Sequence, residues 1–168
     1  AFVLILAATT AAVVWTPRPH MATFVLTAVL SYILHLYKWK QIDRLWVVPL
    51  LFILWVNMHG GYIAGFILLG VYLAGELINN VLVRAGWISP TGHSEFIDWQ
   101  RWRKIVIITL ISGAALLINP YEINALLLPF KTVNIGALQN FIEEWAAPDF
   151  HLLYQQPMLW MLLLTLCA

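Results

Sequence analysis

Hydrophobic residues come in long runs along this chain, and short clusters of polar residues separate the runs. A helix needs about 20 mainly apolar residues to cross a bilayer. Six runs are membrane-span candidates, the first and last of them partial: Ala1–Trp15, Met21–Tyr37, Leu45–Met58, Tyr62–Val83, Ile105–Asn119 and Met158–Ala168. The pattern predicts an all-α fold, a polytopic transmembrane helix bundle that forms a single domain over residues 1–168. Because both ends stop inside hydrophobic runs, we expect the chain to be part of a longer protein.

Composition supports a membrane class. Hydrophobic residues make up 62% of the chain and charged residues 10%, with a mean hydropathy of +0.82. A soluble domain carries about 25% charged residues. These values exclude a disordered segment, an ordinary cytosolic enzyme and a nucleic-acid-binding protein. The single cysteine, Cys167, excludes a disulfide framework and a cysteine zinc site.

Basic residues are distributed unequally between the alternating loops of the predicted bundle. One side carries only Arg18 and Lys131. The other carries the remaining seven: Lys38, Lys40, Arg44, Arg84, Arg101, Arg103 and Lys104. Loops rich in lysine and arginine stay in the cytoplasm. The basic side is therefore predicted to face the cytoplasm, and the segment 95–104 to form an interfacial helix that leads into the fifth span.

The polar residues that could act in catalysis or binding lie mostly on the predicted outer side. The connection 120–157 is long, and long loops are often functional. Within it, apolar residues at helical spacing over 137–145 predict an amphipathic helix on the outer face, which Pro148 ends. Asp149 and His151 then fall on a turn.

Each candidate residue on this side has a structural interpretation beside the functional one. Asn57 and His59 either cap a turn at Gly60-Gly61 or contact substrate. Glu143 and Glu144 form a solvated helix face or supply one acid–base carboxylate, since neighbours on a helix diverge by about 100°. No nucleotide-binding, metalloprotease or paired-cysteine motif is present. The five histidines never recur at helical metal-ligand spacing, so the sequence selects no metal and no cofactor.

Several short motifs resemble a series found in large bacterial multi-pass proteins that are similar to GT-C-type membrane glycosyltransferases, the group that includes protein mannosyltransferases. The motifs are Arg18-Pro19, Trp55-Val56-Asn57-Met58-His59-Gly60-Gly61, Asn119-Pro120-Tyr121, Glu144-Trp145 and Pro148-Asp149-Phe150-His151. The resemblance covers about residues 17–157. It implies a bacterial inner-membrane protein that takes a sugar from a polyprenyl-phosphate carrier at the extracytoplasmic face.

The resemblance implies a fold and a sidedness more than a set of catalytic residues, and the hypothesis of a GT-C-like glycosyltransferase gives the residues on that face candidate roles. Glu144 and Asp149 are the candidate catalytic carboxylates, and Arg18 or Lys131 is the cation for the lipid phosphate. Other candidate substrate-binding residues are Asn57, His59, Trp145 and His151. The family's usual catalytic acid, in the first outer loop, has no equivalent here. The alternative is a non-catalytic subunit of a larger respiratory or photosynthetic complex. Predicted partners are membrane lipids, a polyprenyl-phosphate sugar or other membrane subunits, and not nucleic acid.

Overall fold

A computed structural model describes residues 2–12, 19–88, 96–133 and 149–167. Within those residues the secondary structure is helical, without strands, which confirms the all-α prediction. The helices are α1 (Phe2–Ala12), α2 (His20–Trp39), α3 (Val47–Met58), α4 (Tyr62–Arg84), α5 (Trp99–Ala115), α6 (Ile123–Val133) and α7 (Gln156–Cys167).

The chain divides into two compact units. The smaller unit comprises residues 1–18 and 132–168, in which α1 packs against α7. Neither of these helices has a buried residue, and both are mainly apolar, with threonine hydroxyls that donate to carbonyls of their own helices. A helix whose exposed surface is mainly apolar suits a lipid environment better than water. The larger unit, residues 19–131, contains α2 to α5 and most of α6.

A well-packed core holds the larger unit together. Helix α3 packs against α5 and α2, and α4 packs against α2 and α5. The core side chains come from one face of each helix: Leu26, Leu30, Ile33, Leu34 and Tyr37 from α2; Val48, Leu51, Phe52 and Trp55 from α3; Tyr62 and Leu69 from α4; Ile105 from α5. Phe52 and Trp55 are fully buried and stack with ring centroids 5.6 Å apart. Pro49 lies in the first turn of α3, where a missing N–H breaks no helical hydrogen bond.

Two helices, α2 and α4, are long and apolar enough to cross a membrane by length and composition. Their bounds lie within two residues of the predicted second and fourth spans. Helices α1, α3 and α7 are apolar but shorter, with 11 or 12 residues each.

The structure differs from the predicted boundaries around the fifth span. Helix α5 begins at Trp99, so the basic segment 99–104 is the first part of this helix rather than a separate interfacial helix. The Asp98 carboxylate accepts a hydrogen bond from the Arg101 N–H and caps the start. At the other end α5 stops at Ala115, four residues before the predicted boundary. The expected long outer connection then opens with helix α6, while the predicted helix over 137–145 lies outside the described residues.

Candidate functional site

A hydrogen-bonded cluster joins α2, α3 and the turn before α4, and we call it the histidine end of the larger unit. It comprises Thr23, Trp55, His59 and Gly61. The Gly61 N–H donates to His59 Nδ1 at 3.1 Å, so this nitrogen is an acceptor and the ring proton sits on Nε2. The Thr23 hydroxyl donates to the same nitrogen at 2.9 Å and accepts from the Trp55 indole N–H at 3.1 Å. Burial and the nearby His20 lower the pKa of His59.

Glycines allow the helices to approach closely at this end. A Cβ atom on Gly61 would lie 2.7 Å from His59 Nδ1 and would also collide with Thr23. A Cβ on Gly65 would lie 2.7 Å from the Trp55 ring and 2.8 Å from the Phe52 ring. Close packing at this end therefore depends on Gly61 and Gly65. It does not extend to Gly70, which has open space around it.

Two asparagines near the predicted outer boundary make hydrogen bonds to backbone groups. The Asn57 amide donates to the Ile53 carbonyl at 2.8 Å and to the Ile118 carbonyl at 2.9 Å, which uses both of its N–H groups and links α3 to the end of α5. Asn119 accepts from the Tyr121 N–H at 2.7 Å and so shapes the connection from α5 to α6. His59 therefore contacts the turn that it was predicted to cap, whereas Asn57 bonds to the Ile53 and Ile118 carbonyls and not to that turn.

Asp149 and His151 form a pair in the smaller unit. The Asp149 carboxylate accepts from the His151 backbone N–H at 3.0 Å and lies 2.9 Å from His151 Nδ1. The backbone bond and then the ring bond hold the pKa of Asp149 below its usual value, so the carboxylate is ionised at neutral pH. Both side chains are exposed. An aspartate that binds Nδ1 leaves Nε2 as a proton acceptor, an arrangement suited to general-base chemistry.

The remaining predicted site residues are placed as follows. Lys131 is exposed near the C-terminal end of α6 in the larger unit. Arg18, Glu144 and Trp145 lie outside the described residues, as does Glu143. Of the eight candidates, the structure thus brings Asp149 together with His151, and it places Asn57 and His59 at the same end of α3.

The densest group of charged side chains lies at the opposite end of the larger unit, which we call the charged end. Lys38 of α2 and Glu76 of α4 form an ion pair of 2.5 Å, and the Glu76 side chain is 6% exposed. One turn further along α4, the Asn80 amide donates to the Glu76 carbonyl at 2.8 Å and to the Ile97 carbonyl at 2.7 Å. This buried pair therefore joins α2 to α4, and Asn80 ties α4 to the segment that precedes α5.

Two further contacts at the charged end attach α5 to the region around the α2–α3 connection. Arg101 donates to the Tyr37 carbonyl and stacks over the Tyr37 ring, with its guanidinium carbon 4.5 Å from the centroid. Lys104 pairs with Asp43, and both side chains are about half exposed. Trp102 turns inward, where its indole N–H donates to the Leu73 carbonyl at 3.0 Å.

Among the described residues, no three histidine, cysteine or acidic side chains are grouped so that they could hold a metal ion.

Comparison with protein-family models, curated proteins and solved structures finds no match to this chain. Function must therefore be inferred from the two ends of the larger unit and from the Asp149–His151 pair.

Sequence reasoning missed most of the charged end. It did not identify the pairing of Glu76 with Lys38 on another helix. The available signal was an acidic residue in α4 and a lysine in the last turn of α2, both near the same predicted boundary. Tyr37 and Asp43 carried no signal, because their partners are more than 60 residues away.

Proposed function

We propose that the protein is an integral membrane protein of the bacterial inner membrane, in which six segments cross the bilayer and the charged end faces the cytoplasm. The two long apolar helices and the shorter, mainly apolar α1 and α7 support the membrane placement. The seven-to-two distribution of basic residues supports the orientation.

Cysteine labelling tests this orientation. Lys40→Cys and Lys131→Cys, each in a Cys167→Ala background, should react with an impermeant maleimide from opposite sides of the membrane. Position 40 should be labelled only after the cytoplasmic face is opened. Labelling of both positions in intact cells would contradict the proposed topology.

We further propose that the protein is a GT-C-like glycosyltransferase that uses a polyprenyl-phosphate sugar donor at the extracytoplasmic face. The observation that carries this is the Asp149–His151 pair, which lies within one of the motifs of the resemblance. In the proposed reaction His151 Nε2 takes the proton of the acceptor hydroxyl as the oxygen attacks the sugar, and the lipid phosphate leaves. Asp149 positions the imidazole, and a cation stabilises the departing phosphate, the role predicted above for Arg18 or Lys131.

The test measures sugar transfer from polyprenyl-phosphate donors by the full-length protein. His151→Gln and Asp149→Asn should lower the rate about 10²- to 10⁴-fold, the usual effect of losing a positioned base. Arg18→Ala and Glu144→Gln test the two candidates outside the described residues. Tyr154→Phe, an exposed change three residues from His151, is the matched control and should leave the rate unchanged. If the wild type is active and the His151 and Asp149 variants transfer sugar at the same rate, the catalytic residues lie elsewhere in the protein.

A second candidate function is supported by the histidine end. Asn57 and His59 belong to the motif 55–61 that resembles the glycosyltransferase-like proteins, and both make hydrogen bonds within the chain. A motif that serves helix packing is compatible with a non-catalytic subunit of a larger membrane complex. Stoichiometric co-purification with other membrane subunits, together with no transfer from any donor by the wild type, would favour this function over the enzyme.

A further inference from the structure

An open cleft of about 360 Å³ lies at the charged end of the larger unit. Its walls come from the end of α2, the connection to α3 and the start of α5. The side chains that line it are Tyr37, Gln41, Asp43, Gln100, Arg101 and Lys104. All six are polar, although the surrounding helices are strongly apolar.

The cleft has the charge and the donors that an anion requires. Two cations and one carboxylate line it, which leaves one net positive charge. A guanidinium carries five N–H donors, and the Arg101 bond to the Tyr37 carbonyl uses one of them, so Arg101 can donate to a second acceptor. Lys104 pairs with a half-exposed Asp43, and an ion pair in that environment is weak enough to exchange.

Aromatic side chains near the cleft indicate the depth at which it lies in a bilayer. Trp39 ends α2 and is 44% exposed, and Trp46 precedes α3 and is 60% exposed. Exposed tryptophans at helix ends collect at the level of lipid headgroups. With the basic side in the cytoplasm, the cleft opens among the headgroups of the inner leaflet.

We propose that this cleft binds the phosphate of an anionic phospholipid headgroup, with Lys104 and Arg101 as the cations that contact it. Basic pockets between helices on the cytoplasmic side of membrane proteins bind such headgroups. Asp43 competes with the lipid for Lys104 and so limits affinity. The inference rests on the proposed membrane placement and is independent of any glycosyltransferase activity.

Native mass spectrometry of the full-length protein in non-ionic detergent tests the site, with dioctanoyl phosphatidylglycerol as the probe. Dioctanoyl phosphatidylcholine and inorganic phosphate at equal concentrations are the comparison ligands. Lys104→Gln should weaken phosphatidylglycerol binding about fivefold, as expected for the loss of one cation near a lipid phosphate. Asp43→Asn keeps an oxygen for the Leu45 N–H and should strengthen binding, because it releases Lys104.

Arg103→Gln is the matched control. It removes the same charge from the same helix, but Arg103 does not line the cleft, so binding should be unchanged. Equal losses in the Arg103 and Lys104 variants would show general attraction to anions and overturn the proposal. A Lys104 variant that binds like the wild type would also overturn it. Displacement of phosphatidylglycerol by equimolar inorganic phosphate would overturn the assignment to a lipid. Thermal unfolding of each variant verifies that it is folded.

Discussion

The two ends of the larger unit hold the same helices together by opposite means. At the histidine end, neutral hydrogen bonds link Thr23, Trp55 and His59, and two glycines let the backbones approach. At the charged end, ion pairs connect α2 to α4 and α5 to the α2–α3 connection.

This contrast indicates which substitutions each end tolerates. Contact at the histidine end depends on volume, so an added methyl group is expected to do harm there. Contact at the charged end depends on charge compensation, so the removal of one partner is harmful even where the volume is preserved. Substitutions at the two ends can therefore separate steric from electrostatic stabilisation within one bundle.

The largest expected effect is at the buried ion pair. Lys38→Met leaves Glu76 buried without its cation, which should cost about 3–5 kcal/mol. The double variant Lys38→Met/Glu76→Leu replaces the pair with apolar side chains and should recover most of that loss. Thermal unfolding in detergent measures both. A double variant as unstable as the single one would show that the unpaired Glu76 charge is not the cause of the loss.

The second-largest effect on stability is expected at the histidine end, where it depends on side-chain volume. Gly65→Ala forces a methyl group against the buried Trp55 and Phe52 rings and should destabilise the protein by about 1–3 kcal/mol. Gly75→Ala, in the same helix with open space around it, is the matched control and should be neutral or slightly stabilising. Equal melting temperatures for the two variants would mean that the helices separate easily at this end.

Acid should weaken the histidine end through His59. Since the pKa of His59 is lowered in the folded protein, the unfolded chain binds the proton first as pH falls. The stability that His59 contributes is complete when the pH is above 6.5, the ordinary pKa of histidine, and it declines at lower pH. It declines because a protonated Nδ1 can no longer accept hydrogen bonds from Thr23 and Gly61. The loss is about 1 kcal/mol per hydrogen bond broken.

Melting temperature as a function of pH measures this effect. His59→Gln should flatten the decline between pH 6.5 and the acid limit of the experiment. His35→Gln removes an exposed histidine that stacks on Trp39 and should leave the decline in place. A decline that persists in the His59 variant would assign it to other groups.

The exposed ion pair at the charged end should matter least. Lys104→Gln should change stability by about 0–1 kcal/mol, because solvent screens a half-exposed pair. Added salt should reduce the difference between this variant and the wild type further. A loss as large as that of Lys38→Met would show that exposure does not distinguish the two pairs.

The sequence allowed the helices to be predicted better than their contacts. The bounds of α2 and α4 follow from polar clusters at both ends of an apolar run, which is a local signal. Helix α6 is not predicted by the sequence analysis, because the segment after Pro120 is assigned there to the outer connection. The apolar residues of that segment nevertheless recur at helical spacing. The close approach at Gly61 could be inferred because a paired glycine between two apolar runs indicates a tight turn.

Side-chain pairing was harder to predict, because it depends on which helix ends meet. The Arg101–Tyr37 and Lys104–Asp43 contacts each join residues more than 60 positions apart. Asn57 and His59 were correctly singled out as polar residues at a helix end. Their spacing could not separate a capping role from a binding role, since both roles use the same hydrogen-bonding groups.

On the proposed membrane placement, the Lys38–Glu76 pair also has a consequence for how the protein enters the bilayer during synthesis. A carboxylate inside an apolar helix opposes insertion of that helix on its own. Synthesis proceeds from the N-terminus, so α2 leaves the ribosome before α4 and its lysine is already at the bilayer when Glu76 arrives. The earlier helix thus acts as an intramolecular insertion partner for the later one, and α4 is expected to integrate poorly when it is expressed without α2.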